Sequence, residues 1–292
     1  MIDTHHPPVA GGPALLPPAS PPRPLPWPPA EAARAAAGME AVFAGPDGQL
    51  VQQRWEQAAG AVRWEDQPPV AAFPVVPGRS WGPGWWWSAT TGGHVMHGSV
   101  AMRTQLMVWD RDPAVTWLAA RPVRLVWRDP GDGRPRSWVP QLFARYADGT
   151  GLLADCPAVP DAGGIRARRA AQIVAAACTA VGWSYRRLAP PGAVVAANLQ
   201  WLAGYRHPRN AGTPALAAAV TEAFAEPRPL EEGAAACGDP IAVLPVVFHA
   251  LWTGRLDVTL EQPLHHRSLV RPGKPAQTSE HGRDQERERS AR

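Results

Sequence analysis

The sequence predicts an α/β domain over residues 39–195, followed by a small, mostly helical domain over residues 196–271. Three observations carry this reading. Short alternating runs and one helical run are mixed between residues 40 and 190 and end in an αβ return. From Val194 the pattern turns helical, with repeated cap and first-turn signatures. Both ends differ in composition from this middle: the first 38 residues are a proline- and alanine-rich lead, and residues 272–292 are a charged tail.

The lead, residues 1–38, has almost no branched aliphatics. It cannot bury enough apolar surface to offset chain entropy and is expected to be disordered. It has neither a basic start nor a continuous apolar core, so it does not read as a secretory signal. No stretch approaches the ~18 apolar residues of a membrane span, and the expected location is cytoplasmic. The three cysteines, Cys156, Cys178 and Cys237, are scattered, which fits buried thiols better than a disulfide framework or a zinc site.

"AVFAGPDGQLVQQRW" (41–55) holds two alternating runs around Pro-Asp-Gly and predicts a hairpin. The Pro-, Gly- and Trp-rich stretch that follows reads as extended chain, with Trp85, Trp86 and Trp87 supplying buried area. "GSVAMRTQLMVWDRDP" (98–113) predicts a helix with Ser99 as N-cap and Pro113 beyond its end. In "VTWLAARPVRLVWRD" (115–129), alternation places Val123, Leu125 and Trp127 on one face. "SWVPQLFARYADGTGLLADCP" (137–157) reads as two short strands joined by an acidic turn. A helix over 164–181 and a strand in "GWSYRRL" complete the first domain.

In the second domain, "AVVAANLQWLAGY" is a helix. "TPALAAAVTEAFAE" is another, with Thr213 as cap and Pro214 at its first position. "PLEEGAAACG" adds a short helix. "DPIAVLPVVFHALWTG" repeats the cap-and-proline signature and closes at Gly254. Two strand-like pieces in "RLDVTLEQPLHHRSLVRPG" make a winged-helix outline.

Several stretches together resemble TnsA-like proteins, the endonuclease subunit of bacterial heteromeric transposases. "WEDQPPVAAFP" and "WWWSATTGGHV" resemble the family's lead-in. "GSVAMRTQLMVWDRDPAV" resembles its catalytic helix, and "ARPVRLVW" its Q-P-hydrophobic strand. "VPQLFARYADGTGLLADC" resembles its hairpin, while "VGWSYRRL", "AANLQWLAGYRHPR" and "DPIAVLPVVFHALWTGRLDV" resemble the remainder. The resemblance spans about residues 40–270. It implies a restriction-endonuclease-like PD-(D/E)xK core with a mixed sheet, a winged-helix-like second domain, and Mg²⁺-dependent cutting of 5′ strands at the ends of a mobile element. It also implies DNA, a transposase subunit and an AAA+ regulator as partners.

By the same resemblance, the family's acidic helix positions fall at Gly98 and Met102, its hairpin aspartate at Gln141, its second-strand acid at Asp155, its cation at Pro157 and its glutamine at Arg121. Only Asp155 is retained as a catalytic and metal position. Phosphodiester hydrolysis on Mg²⁺ needs converging carboxylates and a nearby cation. The one lysine, Lys274, lies in the tail, and Arg145 is a poor proton donor in its place. The chain is therefore expected to be deficient in cleavage, to hold no Mg²⁺, and to act through DNA or partner binding. An endonuclease completed by a partner subunit and a winged-helix DNA-binding regulator on an inherited nuclease fold are the alternatives.

Candidate phosphate-facing cations are Arg145, Arg166, Arg168, Arg169, Arg206 and Arg209, with Arg186 and Arg187 beside the former site. Ordinary solvated arginines in an arginine-rich chain are the competing reading. A net charge of +4 admits nucleic acid without requiring it. His94 and His97 have no third partner and form no closed metal site. Asp110 and Asp112 read as turn residues before Pro113.

Overall fold

The computed structural model describes residues 29–73, 75, 82–159 and 163–273. It is a mixed α/β protein with several small sheets. Helix α1 (Pro29–Ala37) comes first, which corrects the expected disorder of the lead at its end. "PAEAARAAA" is short on branched side chains, yet its alanines Ala32 and Ala36 fit against a neighbouring helix, where no large residue is needed. The expectation for residues 1–28 lies outside the described residues, as does that for the charged tail beyond Gly273. Pro272 itself closes a strand.

Strands β1 (Glu40–Ala44) and β2 (Leu50–Arg54) form the expected hairpin. Helix α2 (Trp55–Ala61), which alternation did not suggest, begins directly after it and drives Trp55 into the core. The Trp-rich stretch yields β3 (Gly84–Trp87) and β4 (His94–His97), paired as a ribbon. Of its three tryptophans Trp86 is buried, whereas Trp85 is 63% exposed. Helix α3 (Val100–Asp110) carries the predicted cap, the Ser99 hydroxyl accepting from the Met102 amide at 3.1 Å.

The run 115–129 splits into β5 (Val115–Ala120) and β6 (Arg124–Arg128), which join different sheets. Arg121 makes the switch between them with φ +49°, the one positive φ outside glycine among the described residues. Strands β7 (Pro135–Trp138), β8 (Leu142–Tyr146) and β9 (Gly151–Asp155) follow, then α4 (Gly164–Ala180) and β10 (Ser184–Arg187).

One sheet has the order β2-β1-β6-β7 and the other β10-β9-β8-β5. The second is mixed, because β10 runs parallel to β9 while β9–β8 and β8–β5 are antiparallel. Every residue of β9 is buried, because both faces of that sheet are covered. Phe143 and Leu153 face a core containing α1, α2, β1 and α4. Leu142, Ala144, Leu152 and Ala154 face the other core.

That other core does not stop at residue 195. Met102, Leu106 and Trp109 of α3 belong to the same cluster as Leu199 and Leu202 of α5 (Ala193–Ala203). It continues through α6 (Pro214–Ala223), α7 (Leu230–Ala235) and α8 (Pro240–Trp252). A small sheet of order β11-β13-β12 ends the described chain, built from β11 (Arg228–Pro229), β12 (Leu256–Val258) and β13 (Leu269–Pro272). Buried Asn198 ties its β12–β13 connection to α5, donating to the Leu260 and Gln262 carbonyls and accepting from the Leu264 amide. Arg111, just past α3, donates to the Leu251 carbonyl at 3.0 Å and pairs with Asp257.

No helix among the described residues is long and apolar enough to cross a membrane.

Candidate functional site

The hairpin β8–β9 and the start of α3 meet at a cleft of about 330 Å³. Gly98, Gln141, Asp155 and Pro157 all line it. Met102 lies beneath, fully buried, with its Sδ 3.4 Å from the Gly98 amide. The residues that sequence reasoning assigned to one spot are thus brought together, and the fold explains how. Gln141 immediately precedes β8 and Asp155 closes β9, so antiparallel pairing, with Leu142 opposite Ala154, puts them at the same end of the hairpin. The cap on α3 brings Gly98 and Ser99 to that end.

Asp155 is fully engaged. Its Oδ2 accepts from the Trp138 indole at 2.6 Å and the Tyr185 hydroxyl at 2.5 Å, and its Oδ1 from the Gln141 amide at 3.2 Å. Burial pushes its carboxyl above the ordinary carboxylate range. The bonds from Tyr185, Trp138 and Gln141 and the charge of Arg187 act in the opposite direction. The Tyr185 phenol is correspondingly pushed up by burial and by the carboxylate it serves. Gln141 is committed as well, its Oε1 accepting from the Cys156 amide at 2.7 Å. The pair therefore acts as a clasp across the open end of the hairpin.

The position implied for a helix acid is physically closed. A Cβ on Gly98 would overlap the ring of Phe73, which is itself 8% exposed. The Arg121 guanidinium lies 4.8 Å from the centroid of that ring, and its Nη1 donates to the Ala72 carbonyl at 2.8 Å. Arg187, in register with Asp155 on the neighbouring strand, also lines the cleft. Asp155 is the one carboxylate among the described residues lining it.

These residues do not fit a Mg²⁺ ion. The single carboxylate already accepts three hydrogen bonds, and the other charges at the cleft are guanidinium groups, which repel a cation. Nor do three or more His, Cys, Asp or Glu side chains gather in metal-binding geometry anywhere among the described residues.

Trp138 also borders an adjoining hollow of about 350 Å³, lined by Arg136, Arg166 and Arg169. Two of the candidate cations thus stand beside the cleft, together with Arg136, which sequence reasoning passed over. Arg136 is shared with Asp132 at 2.7 Å and Asp129 at 3.4 Å. Arg168 lies on the same helix turn, half-buried, and Arg186, the neighbour of Arg187 on β10, is exposed.

Arg145 is elsewhere. It pairs with Gly151 at the far end of the hairpin from Asp155. Its guanidinium is bound to Glu65 at 2.6 Å and lies over Phe143 and Trp183. That salt bridge and the two aromatic faces correct its place among the phosphate-facing cations. Arg206 is a structural tie too: it donates to the Trp87 and Ala203 carbonyls and stacks 4.1 Å from the Trp86 ring. Arg209 is exposed on the turn after α5.

Compared with known proteins, the chain matches no family model, and it matches no curated protein.

Among the remaining candidates, Asp110 does more than shape a turn. Buried at the end of α3, it accepts from Trp86 Nε1, the Ser88 hydroxyl and the Ala89 and Thr90 amides, and so fastens the β3–β4 ribbon to the helix. Asp112 caps the local turn by accepting from the Ala114 amide. His94 and His97 both lie on β4, and burial lowers the pKa of His97. Cys156 and Cys178 are buried free thiols, and Cys237 is half-buried. Sequence reasoning missed Phe73, Trp138 and Tyr185, whose roles depend on neighbours 17 or more residues away; no local pattern marks them.

Proposed function

We propose that this chain is a TnsA-like protein of a mobile element, built on a restriction-endonuclease-like core with a winged-helix-like second part, which binds DNA without cutting it. One observation carries the reading. The cleft at the end of the β8–β9 hairpin is lined by Gly98, Gln141, Pro157, two arginines and one fully bonded aspartate, where the resemblance implies a cluster of acids.

Phosphate recognition is the chemistry such a cleft supports. Arg121 and Arg187 supply positive charge, and Arg166 and Arg169 extend it beyond Trp138. The start of α3, capped by Ser99, and the start of α4 at Gly163 both border the cleft, adding the positive ends of two helices. Without a bound cation to neutralise phosphate or activate water, the strand is held and not hydrolysed. In the assembly that the resemblance implies, a transposase subunit and an AAA+ regulator are the protein partners, and strand cutting is supplied by another subunit.

Two assays test this reading. Supercoiled plasmid incubated with the protein and Mg²⁺ or Mn²⁺ is expected to remain uncut, while a labelled duplex is expected to bind in a strongly salt-sensitive manner. Nicking that disappears in Asp155→Ala would overturn the loss of cleavage. A duplex that fails to bind at low salt would remove the role proposed for the cleft.

A further inference from the structure

A second cluster suited to nucleic acid lies on α5, away from the cleft. Trp201 is 56% exposed on the outer side of α5, a helix that buries Asn198, Leu199, Leu202 and Ala203. It is held firmly despite that exposure. The Phe248 ring of α8 meets it edge-on at 6.1 Å and 88°, and Tyr205 lies 6.2 Å away at 51°. Tyr205 and Phe248 in turn pack at 4.8 Å, and Phe248 is 9% exposed, so the indole rests on a rigid aromatic base.

Beside the indole is an open depression walled by Gln200, Arg209 and Asn210. No carboxylate lines it among the described residues. The Nδ2 of Asn210 is buried without a hydrogen-bond partner. A flat aromatic face, one exposed guanidinium and two side-chain amides suit an unpaired base stacked on the ring with its phosphate on the cation. An apolar protein surface suits them less well, since Gln200, Arg209 and Asn210 put polar and cationic groups beside the indole, with Ala197, Gly204 and Tyr205 between them.

We propose that Trp201 is a stacking platform for an unpaired nucleobase of single-stranded DNA, with Arg209 holding the adjoining phosphate. The inference rests on the reading of DNA as the partner, but assigns it a separate site and a separate form of the nucleic acid.

The test measures anisotropy of a fluorescein-labelled oligo(dT) strand and of a labelled duplex with the full chain. Trp201→Ala is expected to weaken oligo(dT) binding by about 5- to 150-fold, the range for one lost base stack. Trp201→Phe is expected to keep most of the affinity, and neither variant should change duplex affinity. Arg121→Ala/Arg187→Ala should do the reverse. The proposal is overturned if oligo(dT) does not bind at low salt while duplex does, or if Trp201→Ala leaves oligo(dT) affinity unchanged. It is equally overturned if that variant alters self-association in sedimentation and not strand affinity, which would make the patch a protein contact. If neither DNA form binds, DNA as the partner fails along with it. If oligo(dT) binds through Trp201 while duplex binds nowhere, the platform stands and the cleft reading falls.

Discussion

Phe73 fills the space in which any side chain at Gly98 would have to begin. The packing around Gly98 therefore leaves no room for the acid that the resemblance implies there, and placing a glutamate at this position alone cannot build a metal site. Gly98→Glu is expected to cost about 1–3 kcal/mol through overpacking, measured by urea denaturation. The double variant Gly98→Glu/Gln141→Asp should still leave plasmid uncut with Mg²⁺. Nicking by that double variant would show that Phe73 does not block the site.

Asp155 should behave as a structural residue. Asp155→Ala strands the Trp138 indole, the Tyr185 hydroxyl and one Gln141 amide bond. The expected loss is about 3 kcal/mol, from two buried donors left without their acceptor and a third, the Gln141 amide, left with the Ala154 carbonyl alone. Because burial raises the folded carboxyl pKa, its stability contribution is complete below the unfolded value near ~4 and fades as pH rises through the folded value. Denaturation midpoints followed from acid to neutral pH should show that decline in the parent and a flatter profile in Asp155→Asn.

Arg121 holds φ +49° where the chain passes from one sheet to the other. Glycine tolerates that conformation and alanine does not, while both substitutions remove the bond to the Ala72 carbonyl and the contact with Phe73. Arg121→Gly is therefore expected to be more stable than Arg121→Ala by about 1 kcal/mol. Equal melting temperatures would count against backbone strain at this point.

The logarithm of the duplex binding constant should fall linearly with the logarithm of salt concentration. Arg187→Ala and Arg166→Ala are each expected to reduce the slope by about one, as one phosphate contact is lost. Arg145→Ala should leave the slope unchanged, because its guanidinium is committed to Glu65 and two aromatic rings. A change for Arg145 equal to that for Arg187 would place the DNA elsewhere.

The shared core predicts one unfolding transition for the described chain. Leu202 on α5 is fully buried in the same cluster as Met102 and Leu106 on α3. Leu202→Ala should cost about 2–5 kcal/mol and move the whole calorimetric transition, not a second-part component alone. Two separated transitions would contradict this.

Much of the local structure was legible before the fold was known. Ser99, Thr213 and Asp239 cap their helices through side-chain bonds to nearby amides, and such caps are written within four residues. The hairpins within 41–55 and 137–157 were equally plain, since alternation and turn residues are local signals, whereas the β3–β4 ribbon was read only as extended chain. Helix α1 was not, because a run of alanines and one proline has no apolar stripe; its small side chains matter only against another helix. The commitment of Arg145 and Arg206 was also hidden, since Glu65 is 80 residues from one and Trp87 is 119 from the other.

The amino-acid order by itself determined which residues stand at the end of the β8–β9 hairpin: register in an antiparallel pair follows from alternation and turn length, so Gln141 and Asp155 had to face one another. Only the tertiary structure decided what those residues do there. Phe73, Trp138, Tyr185 and Arg187 come from three other segments, and hydrogen bonding and exclusion of volume act between atoms that packing brings close, whatever their separation along the chain.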